Sequence, residues 1–338
     1  MQLSIALIVT VLLVMSVVFV NGWTDAPNAI ATAISTRVLP PRTAILMAVV
    51  MNFAGALVMT MFNAKVAATI SNMVSFEGGE SQIALAASLF AIVVWAVAAW
   101  YFGIPTSESH ALIAGLTGAA MAMGGLGAVN FDEWQKVLVG LVVSTVFGFG
   151  SGYVIVKLLE WICQGMNRAR ANRLFAGGQA GAAAAMAFLH GAQDGQKFMG
   201  VFMLALFYSG LASPDASGAF AIPIWVMVMC SLVMGIGTSV GGMRIIKAVG
   251  MDMVKLEKYQ GFSADLGAAI CLLGCSLAGI PVSTTHTKTT AIMGVGAARR
   301  LSKVDWRIVR EMVMAWVLTF PGCGLIAFLM AKLFIRIF

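Results

Sequence analysis

A chain of 338 residues with 60% hydrophobic and only 10% charged residues cannot cover its apolar side chains with a polar shell, because soluble domains carry roughly 25% charged residues. Crossings of about 20 apolar residues each account for nearly all of that content, which excludes a bitopic receptor, a peripheral enzyme and a sizeable soluble domain. The net charge of +7 is spread over short loops, so it reads as a topology signal and no nucleic-acid partner is expected.

In chain order, ordinary spans are predicted at 3–20, 43–63, 83–103, 137–159, 221–243, 261–279 and 311–335. The first run has no basic n-region and no small-residue cleavage site, so a retained span is expected rather than a signal peptide. Four further stretches, 21–36, 104–127, 184–211 and 280–298, mix small apolar residues with Asp, Asn, Gln, Ser, Thr, His and Lys. They are expected to be broken or re-entrant helices. The fold class is thus an all-α polytopic membrane protein of about ten to twelve spans. Cys163, Cys230, Cys271, Cys275 and Cys323 show no metal-ligand clustering and read as packing residues.

Positive residues concentrate in short cytoplasmic loops. With both termini outside and the central loop cytoplasmic, fifteen of the 21 Lys and Arg residues fall inside. Lys65, Lys136, Lys332 and Arg336 fall outside, and Lys197 and Lys288 lie at membrane depth. That orientation, in the cell membrane, is the expectation.

The second half echoes the first. Ile104-Pro105-Thr106-Ser107-Glu108-Ser109-His110 and Ile280-Pro281-Val282-Ser283-Thr284-Thr285-His286 share the pattern I-P-x-S-x-x-H at a separation of 176 residues, each after a glycine. Asp25 and Asp194 are 169 apart, and Trp134 and Trp306 are 172 apart. A common offset in one order predicts a first repeat over 1–165, a basic cytoplasmic linker over 166–182 and a second repeat over 183–338. Five crossings per repeat is an odd number, so the halves are expected in opposite orientation. Secondary transporters have this architecture, with their sites built at the repeat interface from discontinuous helices.

Two kinds of polar motif carry the chemistry. Asn21-Gly22-Trp23-Thr24-Asp25-Ala26-Pro27-Asn28 and His190-Gly191-Ala192-Gln193-Asp194-Gly195-Gln196-Lys197 each combine one carboxylate with helix-breaking or small residues and amides. Carboxylate, amide oxygen and freed carbonyls make a cage for a hard cation, and a carboxylate also carries a proton. Thr24, Asp25, Asn28, Gln193 and Asp194 are therefore the candidate coupling-ion residues, with sodium at Asp25, Asn28 and Asp194; the competing reading is a structural Asp194 paired to Lys197. Glu108 is either a further proton or cation site or a paired carboxylate. In the I-P-x-S-x-x-H motif, proline is accepted in the first helical turn and neighbouring hydroxyls cap it. Thr106, Ser107, Ser283, Thr284 and Thr285 thus mark two half-helix starts able to bind an oxyanion, and Gln196 joins them as a candidate anion ligand. His110, His190, His286, Lys197 and Lys288 are expected as supporting partners of these ligands, Lys288 either balancing the anion or forming a salt bridge. Gly237-Thr238-Ser239-Val240-Gly241 matches a nucleophile-elbow pattern without the strand–turn–helix context it needs.

These motifs resemble the PiT family of inorganic phosphate transporters. H-G-A-Q-D-G-Q-K is similar to that family's H-G-A-N-D-G-Q-K, and N-G-W-T-D-A-P-N to its N-G-A-N-D-x-x-N, with Thr24 and Gln193 where the family has Asn. Gly279–His286, G-I-P-V-S-T-T-H, matches the family pattern throughout. The resemblance spans nearly the whole chain and implies coupled phosphate uptake by alternating access, driven by sodium or a proton; some relatives carry sulfate. It implies no enzyme activity and no cofactor beyond the coupling ion. The expected partners are inorganic phosphate, sodium or a proton, membrane lipid and a second copy of the chain. A channel or an intramembrane serine hydrolase at Ser239 are the rival classes.

Overall fold

The computed structural model describes residues 5–76, 80–104, 106–216 and 218–338. Among these, every regular element is helical, apart from one antiparallel bridge between Val74 and Val129. The first half holds α1 (Ile5–Thr24), α2 (Pro27–Ser35), α3 (Pro41–Phe62), α4 (Lys65–Ser71), α5 (Ser81–Phe102), α6 (Glu108–Gly124) and α7 (Phe131–Ile162). The second holds α8 (Arg168–Tyr208), α9 (Ile224–Val240), α10 (Met243–Lys247), α11 (Lys258–Ala278), α12 (Thr284–Arg299) and α13 (Trp306–Ile337). Among the described residues, seven stretches are long and apolar enough to cross a membrane, or eight if the bent pair Ile224–Val240 and Met243–Asp252 is one span. The chain is a multi-pass membrane protein.

Three breaks fall where the sequence places them. Proline has no N–H to give and fits the first helical turn; Pro27 opens α2, while the Asp25 and Ala26 amides turn back to the Asn21 carbonyl at 2.9 and 3.3 Å. Gly103 and Gly279 end α5 and α11 in the left-handed conformation, at φ 70° and 72°, a backbone state that glycine reaches without steric cost. Beyond them Ser107 and Ser283 cap α6 and α12, their hydroxyl oxygens accepting the His110 and His286 amides at 3.3 and 3.1 Å. Pro281 lies ahead of the cap rather than in the first turn of α12, and Pro105 lies outside the described residues, as does the start of the predicted 3–20 span.

Three expectations fail. The stretch 184–211 does not contain a break: α8 runs 41 residues without interruption through His190–Lys197. Its glycines serve close packing. A Cβ on Gly191 would stand 2.2 Å from the Asn52 carbonyl oxygen, and one on Gly55 would stand 1.8 Å from that of Phe188, so the two glycines let α3 and α8 approach to backbone contact. The basic linker expected over 166–182 is not a loop either, because from Arg168 onward it forms the first turns of α8. At 1.5 Å per residue α8 is about 60 Å long, twice a hydrocarbon core of about 30 Å. Finally, 221–243 is not an ordinary span: α9 has 17 residues and the chain then turns by 66°.

The halves interlock. Helix α12 packs along α7 and α6 along α13, while α1 and α3 pack against α9, and α3 and α11 against α8. One apolar cluster gathers α1, α5, α6 and the Phe198–Leu206 end of α8; the other gathers α2, α11, α12 and the Met186–Leu189 stretch of α8. The polar segment His190–Lys197 lies between those two stretches of α8, fully buried.

Candidate functional site

Asp25, in the gap between α1 and α2, accepts three hydrogen bonds from the chain around it. The Asn28 amide donates to its Oδ1 at 2.8 Å, the Thr285 hydroxyl donates to the same oxygen, and the Thr284 hydroxyl donates to its Oδ2 at 3.4 Å. Thr284 stands equally close, 3.4 Å, to Asp194 Oδ2. The Asn28 amide also reaches the Thr285 hydroxyl at 3.0 Å. The start of α12 is thus pressed onto the break in α1–α2.

On α8, Asp194 is held from several sides. Lys197 donates to its Oδ1 at 2.6 Å, Asn21 donates to its Oδ2 at 3.0 Å, and His190 Nε2 lies 3.4 Å from Oδ2. His190 is oriented by Asn52 of α3, 2.7 Å from its Nδ1. Lys197 uses its remaining donors on the Ser109 hydroxyl and the Val282 carbonyl, each at 2.6 Å. Asp194 is thus paired to Lys197, and it also joins Asp25 and His190 in a buried triad whose ligand atoms all lie within 4.8 Å of one another. Two carboxylates and an imidazole at that spacing can share one cation. Glu108 completes the acidic group from α6. Thr24 donates to its Oε1 at 2.6 Å, and its Oε2 is buried without a hydrogen-bond partner among the described residues. Asp25, Asp194 and Glu108 stand against one lysine, and like charges in a weakly screened interior repel strongly.

Other candidates go elsewhere. Gln193 donates to the Ser276 hydroxyl at 3.0 Å and the Ile280 carbonyl at 3.4 Å, so it braces the α11–α12 break rather than the triad. Gln196 donates to the Asn63 carbonyl at 2.7 Å. Thr106 is half-buried and makes no side-chain hydrogen bond among the described residues. His110 and His286 pack on each other and on Phe320 and Trp316, respectively. Lys288 pairs with Asp265 of α11 rather than with the carboxylates of the triad. Ser239 is exposed and spends its hydroxyl on the Ile236 carbonyl, with no histidine partner among the described contacts. Sequence reasoning missed Asn52, Ser109 and Asp265. Asp265 carried a usable signal, since an ionisable residue in an apolar run marks function; Asn52 carried none.

Interrupted membrane helices that bring buried carboxylates, hydroxyls and a lysine together define a polytopic membrane protein with an enclosed polar site, and comparisons with known proteins narrow the class. The phosphate transporter family profile matches residues 21–327. A probable low-affinity inorganic phosphate transporter of Bacillus subtilis is 38% identical over 322 residues, covering 94% of this chain and 95% of that one. A protein of the same description from Rhizobium meliloti is 38% identical, with 91% and 90% covered. Among solved structures, a sodium-dependent phosphate transporter shares the fold with a TM-score of 0.90 at 21% identity, over 99% of this chain and 100% of that one. The chain belongs to the phosphate transporter family. A family of transporters, with Ser239 isolated on α9, leaves no place for the hydrolase reading.

Proposed function

We propose that the chain is a secondary active transporter that couples inorganic phosphate uptake to a sodium gradient. The observation that carries this reading is the shared use of Thr284 and Thr285. Their hydroxyls are the best-placed anion donors at the start of α12, and in the structure they donate to Asp25 and Asp194. A sodium ion taking oxygens of those carboxylates would compete for the same acceptors and turn the hydroxyl protons toward an incoming phosphate. Ser107 and Ser283, whose oxygens cap α6 and α12, keep their own protons for the anion, and the two helix starts add favourable dipoles. Without the cation, phosphate would meet uncompensated carboxylates. Ion and anion thus bind together, and each must tighten the other to the same degree.

Alternating access follows from an inverted repeat of 1–165 and 183–338. The helix order supports it: α5, α6 and α7 are followed at the offset by α11, α12 and α13, with α7 and α13 both 32 residues long. The reciprocal packing of α12 on α7 and α6 on α13 supports it as well. Short and bent helices such as α12 and α9 complete the ten to twelve crossings of the transport fold, with both termini outside and the basic start of α8 in the cytoplasm.

Purified protein in liposomes, given labelled phosphate under an imposed sodium or proton gradient, tests the reading. Phosphate accumulation driven by inward sodium, with weak competition by sulfate, is expected. Uptake that merely equilibrates, indifferent to either gradient, would point to a passive pore.

A further inference from the structure

Asp265, in the middle of α11, is a buried carboxylate that the site above does not use. The Thr32 hydroxyl of α2 donates to its Oδ1 at 2.6 Å, and the Lys288 ammonium of α12 donates to the same oxygen. Lys288 also reaches the Thr32 hydroxyl at 3.1 Å and the Ala29 carbonyl at 3.5 Å. Asp265 and Lys288 have no exposed surface, and Asp265 Oδ2 has no hydrogen-bond partner among the described residues.

The ammonium therefore sits on one carboxylate, one hydroxyl and one backbone carbonyl. Lys197 has the same trio in Asp194, Ser109 and Val282. This is the oxygen set that a hard cation takes. Fold stability does not account for it. A buried ion pair is often no better than apolar residues of similar volume, and at the offset of 176 the first half has Leu89 and Leu112, both fully buried. The position matters too. Thr32 follows Asn28 by one turn on α2, and Lys288 follows Thr285 by about one turn on α12, so the trio is the next rung of the seam that holds Asp25.

We propose that Asp265, Thr32 and the Ala29 carbonyl form a monovalent-cation site beside the transport site, which the Lys288 ammonium fills in this chain as a tethered ion. Emptying it should convert it into a site for a free alkali ion.

Lys288→Met is the informative substitution, because methionine is one atom shorter than lysine: it keeps the apolar stem in place and vacates only the space of the ammonium. The purified variant, without phosphate, is titrated to saturation with labelled sodium and, separately, with labelled rubidium as a potassium substitute. The expected result is one more bound ion per chain than wild type in at least one of the two salts, reverting to the wild-type count in Lys288→Met/Asp265→Asn. An unchanged count in both salts overturns the proposal, as does an extra ion that persists in the double variant. Failure of Lys288→Met to yield folded protein in either salt overturns it as well, since a free cation should then replace the ammonium. Counting ions without phosphate keeps the outcome independent of the cargo.

Discussion

The rings of His110 and His286, 176 residues apart in sequence, meet edge to face with centroids 4.4 Å apart. Each is the last residue of its I-P-x-S-x-x-H motif, and each lends its amide to the serine that caps its own helix. The two half-helix starts therefore touch through equivalent side chains. Neither imidazole joins the carboxylates; the pair aligns the starts of α6 and α12 within an aromatic wall that includes Phe320 and Trp316.

Asp25 and Asp194 should respond differently to the same substitution. Asp194→Asn strips Lys197 of its charged partner inside the protein, and breaking a buried pair costs about 3–5 kcal/mol. Asp25 has no lysine partner among the described residues; it accepts from Asn28, Thr284 and Thr285, so Asp25→Asn should cost about 1–3 kcal/mol, the range for a disturbed buried hydrogen bond. Both should abolish sodium-driven uptake, and Asp194→Asn/Lys197→Met should recover part of the lost stability. Thermal unfolding in detergent checks this, and equal destabilisation by the two single variants would contradict it.

Removing anion donors should weaken phosphate binding. Each hydroxyl donated to a charged group is worth about 1.5–3 kcal/mol, so Ser283→Ala, Thr284→Ala and Ser107→Ala should each lower phosphate affinity by about tenfold to a hundredfold. Ser283→Ala and Ser107→Ala also remove a cap and should lose about 1 kcal/mol of stability, whereas Thr284→Ala removes no cap but takes a donor from the Asp25 and Asp194 carboxylates. Calorimetry at saturating sodium, beside unfolding curves, separates the two effects.

Much of this was legible in the chain. Pro27, Gly103, Gly279, Ser107 and Ser283 announce three breaks, because proline, left-handed glycine and serine caps act locally. The segment His190–Lys197 misled for the same reason: Gly191 and Gly195 look like breakers, yet their role is set by α3, where Asn52 and Ala56 press on them. Local chemistry cannot report a neighbour remote in sequence. The same limit hid Asn52 beside His190 and the partner of Lys288, whereas Asp25, Asp194 and Glu108 were readable because carboxylates at membrane depth are costly without a purpose.

The α3–α8 contact should tolerate no side chain. Gly191→Val would drive methyl groups into the Asn52 backbone, and overpacking of this kind costs about 1–3 kcal/mol. Because Asn52 orients His190 at 2.7 Å, sodium-driven uptake should fall further than the loss of folded protein explains. Uptake normalised to folded protein is the readout.

The basic start of α8 should face the cytoplasm. In a cysteine-free background, a cysteine at Asn172 should react with a membrane-impermeant thiol reagent in inside-out vesicles and stay protected in right-side-out ones. Labelling from the outside would reverse the orientation drawn from the charge asymmetry.

The most direct test of the coupling account is the phosphate affinity of the purified protein measured by calorimetry across a sodium series, with choline keeping ionic strength constant. Affinity in the wild type should rise with sodium and level off as the carboxylates become occupied, while in Asp25→Asn it should stay flat at a low value. A phosphate affinity independent of sodium in the wild type, or an undiminished sodium dependence in Asp25→Asn, would contradict the claim that a cation at Asp25 and Asp194 frees the Thr284 and Thr285 hydroxyls for the anion.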